Sequence, residues 1–154
     1  MHLVLRARWA YGAWSFRADP FRRMIDKILH KHAVRTGVEL LGVGNAGNHL
    51  HLRVQIHSRK KYRDFIRSIS GEIALKIKKS REEFYQQKEE AFWERRPFSC
   101  IVAGSRYVAR LADYIKINEL ERGGISRANA RLMVRKWSVV ERAINPHYTK
   151  AAPS

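Results

Sequence analysis

Between Gly47 and His57 the sequence reads GNHLHLRVQIH, in which His49, His51, Arg53, Gln55 and His57 alternate with Leu50, Leu52, Val54 and Ile56. Residues two apart on a β-strand project from one face, with Cα atoms roughly 6.6–6.8 Å apart. Two neutral imidazoles at that spacing can lean onto one ion, and histidine is the commonest metal ligand. His49 and His51 are therefore half of a candidate divalent-metal site, although the same alternation also describes a plain solvated face. Tyr114 and Asn118 supply the other half. They are four residues apart, which places them on one side of a helix about one turn from each other. A phenol and a carboxamide beside two histidines are the parts needed for attack on a phosphodiester. A cation held by His49, His51 and Asn118 would polarise a non-bridging phosphate oxygen, and the Tyr114 oxygen would attack phosphorus to give a covalent intermediate. Tyr107, seven residues earlier, competes for the role of nucleophile, and the spacing to Asn118 favours Tyr114.

The composition suits a polyanionic partner. Lys and Arg number 31 against 14 Asp and Glu, a formal net charge of +17, and such an excess repels itself in a compact chain unless something anionic is bound. The basic residues are spread along the chain, so the folded body itself should be the basic surface. Arg53 and Gln55 share the histidine face and are read as contacts to phosphate or base edges, joined by Arg6 and Arg8 if the first strand is central. Arg59, Lys60 and Lys61 in RKKYR are read as phosphate contacts, whose binding should weaken steeply with salt. Tyr11, Trp14 and Phe16 suit either base stacking or core packing. His57 reads as a surface histidine, and His2, His30 and His32 have no partner legible in the sequence. Cys100 is the one cysteine, which excludes an intramolecular disulfide and a thiolate-rich zinc site. No apolar run reaches eighteen residues, so no membrane span is expected and the expected location is intracellular, in a reducing cytoplasm.

The elements that position these residues follow from periodicity. Residues 3–9 alternate as a strand. Asp19-Pro20 then predicts an N-cap and first helical position, and Phe21, Met24, Ile25, Ile28 and Leu29 give helical spacing up to Thr36-Gly37. GNAGN separates two strands near 38–44 and 49–57, a hairpin. Ser58 is a candidate cap for a helix with Tyr62, Phe65, Ile66, Ile69, Ile73, Leu75 and Ile77 as its apolar stripe through about residue 79, with Gly71 weakening its middle. The charged segment 80–91 continues this helix or forms a loop. A fourth strand is expected around 98–103 and a helix from Ser105 to Gly123-Gly124. A last helix starts at Ser126, with Met133, Trp137, Val140 and Ile144 as its apolar positions. The order β-α-β-β-α-β predicts an α+β, ferredoxin-like split β-α-β fold: an antiparallel sheet with helices on one face, plus C-terminal helices. The expected organisation is a catalytic domain over 1–124, a helix packed on it over 125–145, and a flexible tail over 146–154.

NHLHLRVQ resembles the His-hydrophobe-His motif of the HUH endonucleases, and DYIKINELERGG resembles the tyrosine helix of their single-tyrosine transposases. The stretch FWERRPFSCIVAGSRYVARLADYI is similar to the tryptophan-containing strand that leads into that helix. The family resembled is that of the insertion-sequence 200-like and REP-associated tyrosine transposases, over about residues 1–124. The resemblance implies cutting and rejoining of single-stranded DNA beside a hairpin through a 5′-phosphotyrosine bond, with Mg²⁺ or Mn²⁺. His49, His51 and Asn118 would then be the metal ligands and Tyr114 the nucleophile, in a chain that could act as a homodimer. Asn118 stands where some relatives have glutamine, and three departures stand out: GNAGN replaces a Met-Pro-Asn run, the tyrosine helix lacks an Asn-Pro, and the last helix lies outside the motif region. The rival readings are a non-catalytic nucleic-acid-binding protein of the same fold, a relaxase or replication initiator of the same superfamily, and a metal-free RNA-binding ferredoxin-like domain, against which the absence of an aromatic RNP-like strand argues.

Overall fold

The backbone alternation around His49 becomes strand β3 (His49–Gln55), which lies in the middle of a four-stranded antiparallel sheet. The computed structural model describes residues 1–80, 91–102 and 105–144. Its elements are β1 (His2–Arg6), a 3-10 turn (Gly12–Trp14), α1 (Phe21–Thr36), β2 (Glu39–Asn45), β3, α2 (Arg59–Lys79), β4 (Phe98–Cys100), α3 (Ser105–Arg122) and α4 (Arg127–Ile144). The sheet order is β2-β3-β1-β4, the arrangement expected of a split β-α-β fold, with β1 and β3 central. The chain falls into two compact units, Met1–Cys100 and Ile101–Ser154. The charged segment 81–90, the far end of the expected fourth strand at 103 and the expected tail lie outside the described residues.

In the first unit, one sheet face is apolar because alternate residues of the two central strands are. Leu3 pairs with Leu52 and Leu5 with Leu50 across β1 and β3, and with Val54 all are buried against Ile25, Ile28 and Leu29 of α1 and Phe65, Ile69 and Ile73 of α2. Fully burying a side chain of this size contributes about 1.5–3 kcal/mol, which is why a one-residue slip of β3 is strongly disfavoured. The opposite face presents His2, Val4 and Arg6 of β1 beside Arg53, His51 and His49 of β3.

Several local expectations change in the folded chain. Asp19 does not cap α1. Pro20 occupies the cap position without a side-chain bond, the Arg22 amide instead donates to the Ala18 carbonyl at 3.0 Å, and the Asp19 carboxylate pairs with Arg22 and Arg23. Ser58 likewise makes no side-chain cap bond. Gly37 does end α1, at φ 65°, in the left-handed region open to glycine. Leu75, expected in the α2 stripe, is 62% exposed, because the buried positions Tyr62, Phe65, Ile69, Ile73 and Ile77 keep to one helical line that passes it by. Gly71 does not interrupt α2, which runs unbroken to Lys79. In β2 a bulge between Leu40 and Gly42 adds a residue to the strand and turns Leu41 outward. Ahead of the short β4, Trp93 bridges to Ala7, and its indole N–H donates to the Ser70 carbonyl at 3.1 Å.

In the second unit α3 and α4 pack on each other, with Leu111, Ile115 and Asn118 of α3 and Ala130 and Val134 of α4 buried. Ser126 accepts a bond from the Asn129 amide at 3.3 Å and so caps α4 as expected. Trp137 is 45% exposed, with the Lys116 ammonium 5.6 Å from its ring centre. Val140 and Ile144 lie outside the described side chains.

Candidate functional site

His49 and His51 share the face of β3 turned away from the helices, and their ring centres lie 4.8 Å apart, edge to face. Three contacts hold them. The His49 Nδ1–H donates to Asn48 Oδ1 at 2.6 Å, which leaves Nε2 as the nitrogen with a lone pair. His51 Nδ1 lies 3.0 Å from His2 Nε2, and the rings of His2 and His51 stack at 5.2 Å. Asn45, buried at the start of the turn, donates to the Phe16 carbonyl and accepts from the Gly47 amide, so the loop before α1 and the hairpin turn are tied together immediately upstream of His49. Gly47 sits at φ 95°, and a Cβ there would meet Ser15 Oγ at 3.0 Å.

The electrostatics keep these rings neutral. Burial lowers the His51 pKa to about 4, with His49 and His2 adding to the effect. Burial also lowers His49, helped by the positive charges of Arg6 and Arg17, and it lowers His2. A neutral imidazole is the form that donates a lone pair to a metal. Arg6, opposite His49, forms a 2.6 Å ion pair with Glu94. Arg53 donates from Nη2 to the Leu41 carbonyl at the β2 bulge, while its Nε is buried without a partner among the described residues.

On α3, Asn118 is wholly buried, and neither its Oδ1 nor its Nδ2 has a hydrogen-bond partner among the described residues. An unsatisfied buried polar group costs about 1–3 kcal/mol, so such a side chain asks for a ligand or a chemical role. Tyr114, one turn earlier, is half-buried with the Arg127 guanidinium 6.0 Å from its ring centre. In donor chemistry the two oriented imidazoles of β3 suit a divalent cation. Among the described residues no group of three or more His, Cys, Asp or Glu side chains is placed to hold one.

A family model described as Transposase IS200 like matches residues 1–118. The chain belongs to this family. A crystal structure of a candidate transposase from Deinococcus radiodurans R1 is similar at TM-score 0.53 and 17% identity, over 74% of this chain and 85% of that one, a likeness that bears on the fold. No curated protein sequence matches.

The remaining residues singled out in the sequence divide between two sides of the first unit. Arg6, Arg53 and exposed Gln55 belong to the histidine face; exposed Arg8 follows the end of β1. Arg59, Lys60 and Lys61 are exposed in the first turn of α2, in the helical layer that covers the other face. There Arg35, Lys61 and Arg67 line an open groove with Asp64. Phe16 is core, packed at 6.3 Å and 6.1 Å from the rings of Phe92 and Trp93, and Trp14 packs on Phe21, so of the three aromatics only Tyr11 is well exposed. His57 is a surface side chain 3.0 Å from Glu39. His32, without a legible partner in the sequence, pairs with Glu72 at 2.6 Å. The residue that sequence reasoning missed at the site is His2. Its position on the histidine face follows only from the pairing register of β1 with β3. Among the described residues no helix is long and apolar enough to cross a membrane.

Proposed function

We propose that this IS200-like transposase-family chain cuts and rejoins single-stranded DNA, at sites that include a hairpin, through a covalent bond to Tyr114. The observation that carries the reading is the His49–His51 pair, neutral, mutually edge-on and with His49 oriented by Asn48. In this reading His49, His51 and Asn118 hold Mg²⁺ or Mn²⁺, which when bound supplies Lewis-acid polarisation of a phosphate oxygen. Tyr114 Oη gives up its proton and attacks phosphorus. The bond from phosphorus to the 3′-oxygen breaks, that oxygen takes up a proton, and the 5′-phosphate remains on the tyrosine. A 3′-hydroxyl of a second strand reverses the exchange and frees Tyr114, so one phosphodiester replaces another and no external energy source is needed. Arg53 and Gln55 contact the strand on the histidine face, and the basic first turn of α2 adds sequence-independent phosphate affinity.

The test is incubation with labelled single-stranded hairpin oligonucleotides and Mn²⁺, followed by a denaturing gel. The expected product is a protein–DNA adduct with wild type and none with Tyr114→Phe; an adduct formed equally well by Tyr114→Phe sinks the assignment. Salt-sensitive binding with no adduct on any oligonucleotide makes the chain a non-catalytic DNA-binding protein of this fold.

A further inference from the structure

Across the β1–β3 pairing, His2 Nε2 lies 3.0 Å from His51 Nδ1 and the two rings stack at an interplanar angle of 18°. Two neutral imidazoles that meet nitrogen to nitrogen share one proton, and its location decides what His51 can do. If His2 keeps the proton on Nε2, then His51 spends its lone pair on His2 and carries N–H at Nε2. If His51 donates from Nδ1, its Nε2 holds a lone pair and the ring can act as a ligand through that atom.

We propose that His2 is a positioning residue, whose Nε2 accepts the Nδ1–H of His51 and thereby holds His51 in the tautomer that presents an Nε2 lone pair to a divalent cation. This rests on the metal reading of His49 and His51 given above. The arrangement parallels His49, whose Nδ1–H is taken by Asn48 Oδ1, so both histidines of the pair receive an acceptor at Nδ1 and keep Nε2 for coordination. Partners of this kind fix ring orientation and raise ligand basicity, and their loss lowers metal affinity about 10- to 100-fold. The surroundings suit the role. His2 is only 8% exposed, its ring stacks on that of His51, and the antiparallel register sets Val4, with a small side chain, directly opposite His51. The buried ring of His2, two strand positions away, is therefore the acceptor that the sheet geometry offers to the His51 Nδ1–H.

The experiment uses the full chain with Co²⁺ as a spectroscopic probe, alongside long-range ¹H–¹⁵N NMR of the metal-free protein at pH 7.5. The expected wild-type NMR result is His51 protonated at Nδ1; protonation at Nε2 overturns the proposal without any variant. His2→Phe keeps a stacked ring but offers no acceptor, and is expected to weaken Co²⁺ binding about 10- to 100-fold and to shift His51 toward the Nε2–H tautomer. Unchanged affinity in His2→Phe overturns the proposal. His2→Gln supplies an amide oxygen to the same Nδ1–H and is expected to stay within about threefold of wild type, the conservative acceptor preserving the ligand's orientation. A loss in His2→Gln as large as in His2→Phe makes His2 itself a ligand and overturns the positioning role. Should His49→Ala and His51→Ala bind Co²⁺ as wild type does, the metal reading fails and the ligand half of this proposal with it, while the NMR result still decides which ring donates.

Discussion

Glu72 is the electrostatic tie between α1 and α2, and its removal has a calculable effect. Its carboxylate accepts from Lys31 Nζ at 2.9 and 2.7 Å, meets His32 Nε2 at 2.6 Å and Lys76 Nζ at 3.3 Å, and its side chain is 19% exposed. The Lys31 bond is the main reason that its pKa falls from 4.5 to about 2, against the opposing effect of burial. A depressed carboxylate contributes stability that is present above the unfolded value of 4.5 and is lost as pH falls through the folded value near 2, because in that window the unfolded chain binds the proton more tightly. The full shift corresponds to about 3 kcal/mol at 1.36 kcal/mol per unit. Solvent around the half-exposed lysines screens part of it, so about 1–2 kcal/mol is the expected contribution at pH 7. Glu72→Gln keeps the shape and an acceptor for His32 while deleting the charge. Urea denaturation is expected to show it about 1–2 kcal/mol less stable at pH 7, with a thermal midpoint lower by about 3–6 °C. By pH 3 the gap should shrink to less than half. A gap of the same size at pH 7 and pH 3, or no gap at pH 7, refutes the reasoning.

Asn118→Leu removes two buried polar atoms that have no partner among the described residues, so the variant is expected to melt at least as high as wild type, by up to about 1–3 kcal/mol of added stability, while Mn²⁺-dependent adduct formation is lost; a strongly destabilised variant contradicts this. Gly47→Ala puts a Cβ at φ 95° and 3.0 Å from Ser15 Oγ and is expected to cost about 1–3 kcal/mol, measurable by chemical denaturation, and to perturb the His49 NMR signals. His51, held near pKa 4, makes the folded chain refuse a proton that the unfolded chain accepts below about 6.5, so stability falls as pH drops from 6.5 toward 4. His51→Gln should flatten that decline between pH 6.5 and 5, and an unchanged pH profile counts against a buried neutral ring. Lys60→Gln with Lys61→Gln should reduce the slope of log affinity against log salt by about 1.4, as read by fluorescence anisotropy on single-stranded DNA; an unchanged slope removes the first turn of α2 from the DNA surface.

Strands and helices were legible wherever a buried face imposes a period. His49 to Ile56 alternates because one side of β3 packs on α1 and α2, and Phe65, Ile69, Ile73 and Ile77 recur because α2 returns the same side to the sheet. Gly37 was legible because few other residues tolerate φ 65°. Asp19, Leu75 and the β2 bulge were not. A cap can be displaced by a competing backbone bond from the Arg22 amide. A stripe of seven apolar residues contains two more than the helix fully buries, Ile66 at its margin and Leu75 outside it, and a strand with an extra residue keeps no strict alternation.

The amino-acid sequence by itself determined which residue types could do chemistry, the charge that suits a polyanion, and the two periods that build a split β-α-β sheet, since each is a local property of composition or spacing. Only the tertiary structure decided that His2 meets His51, that Asn48 orients His49, that Arg6 is paired with Glu94, and that Asn118 is buried with an unspent amide. Each of these depends on register or packing between residues distant in the chain, or on which face of a turn or helix is closed to water, and no local pattern encodes that.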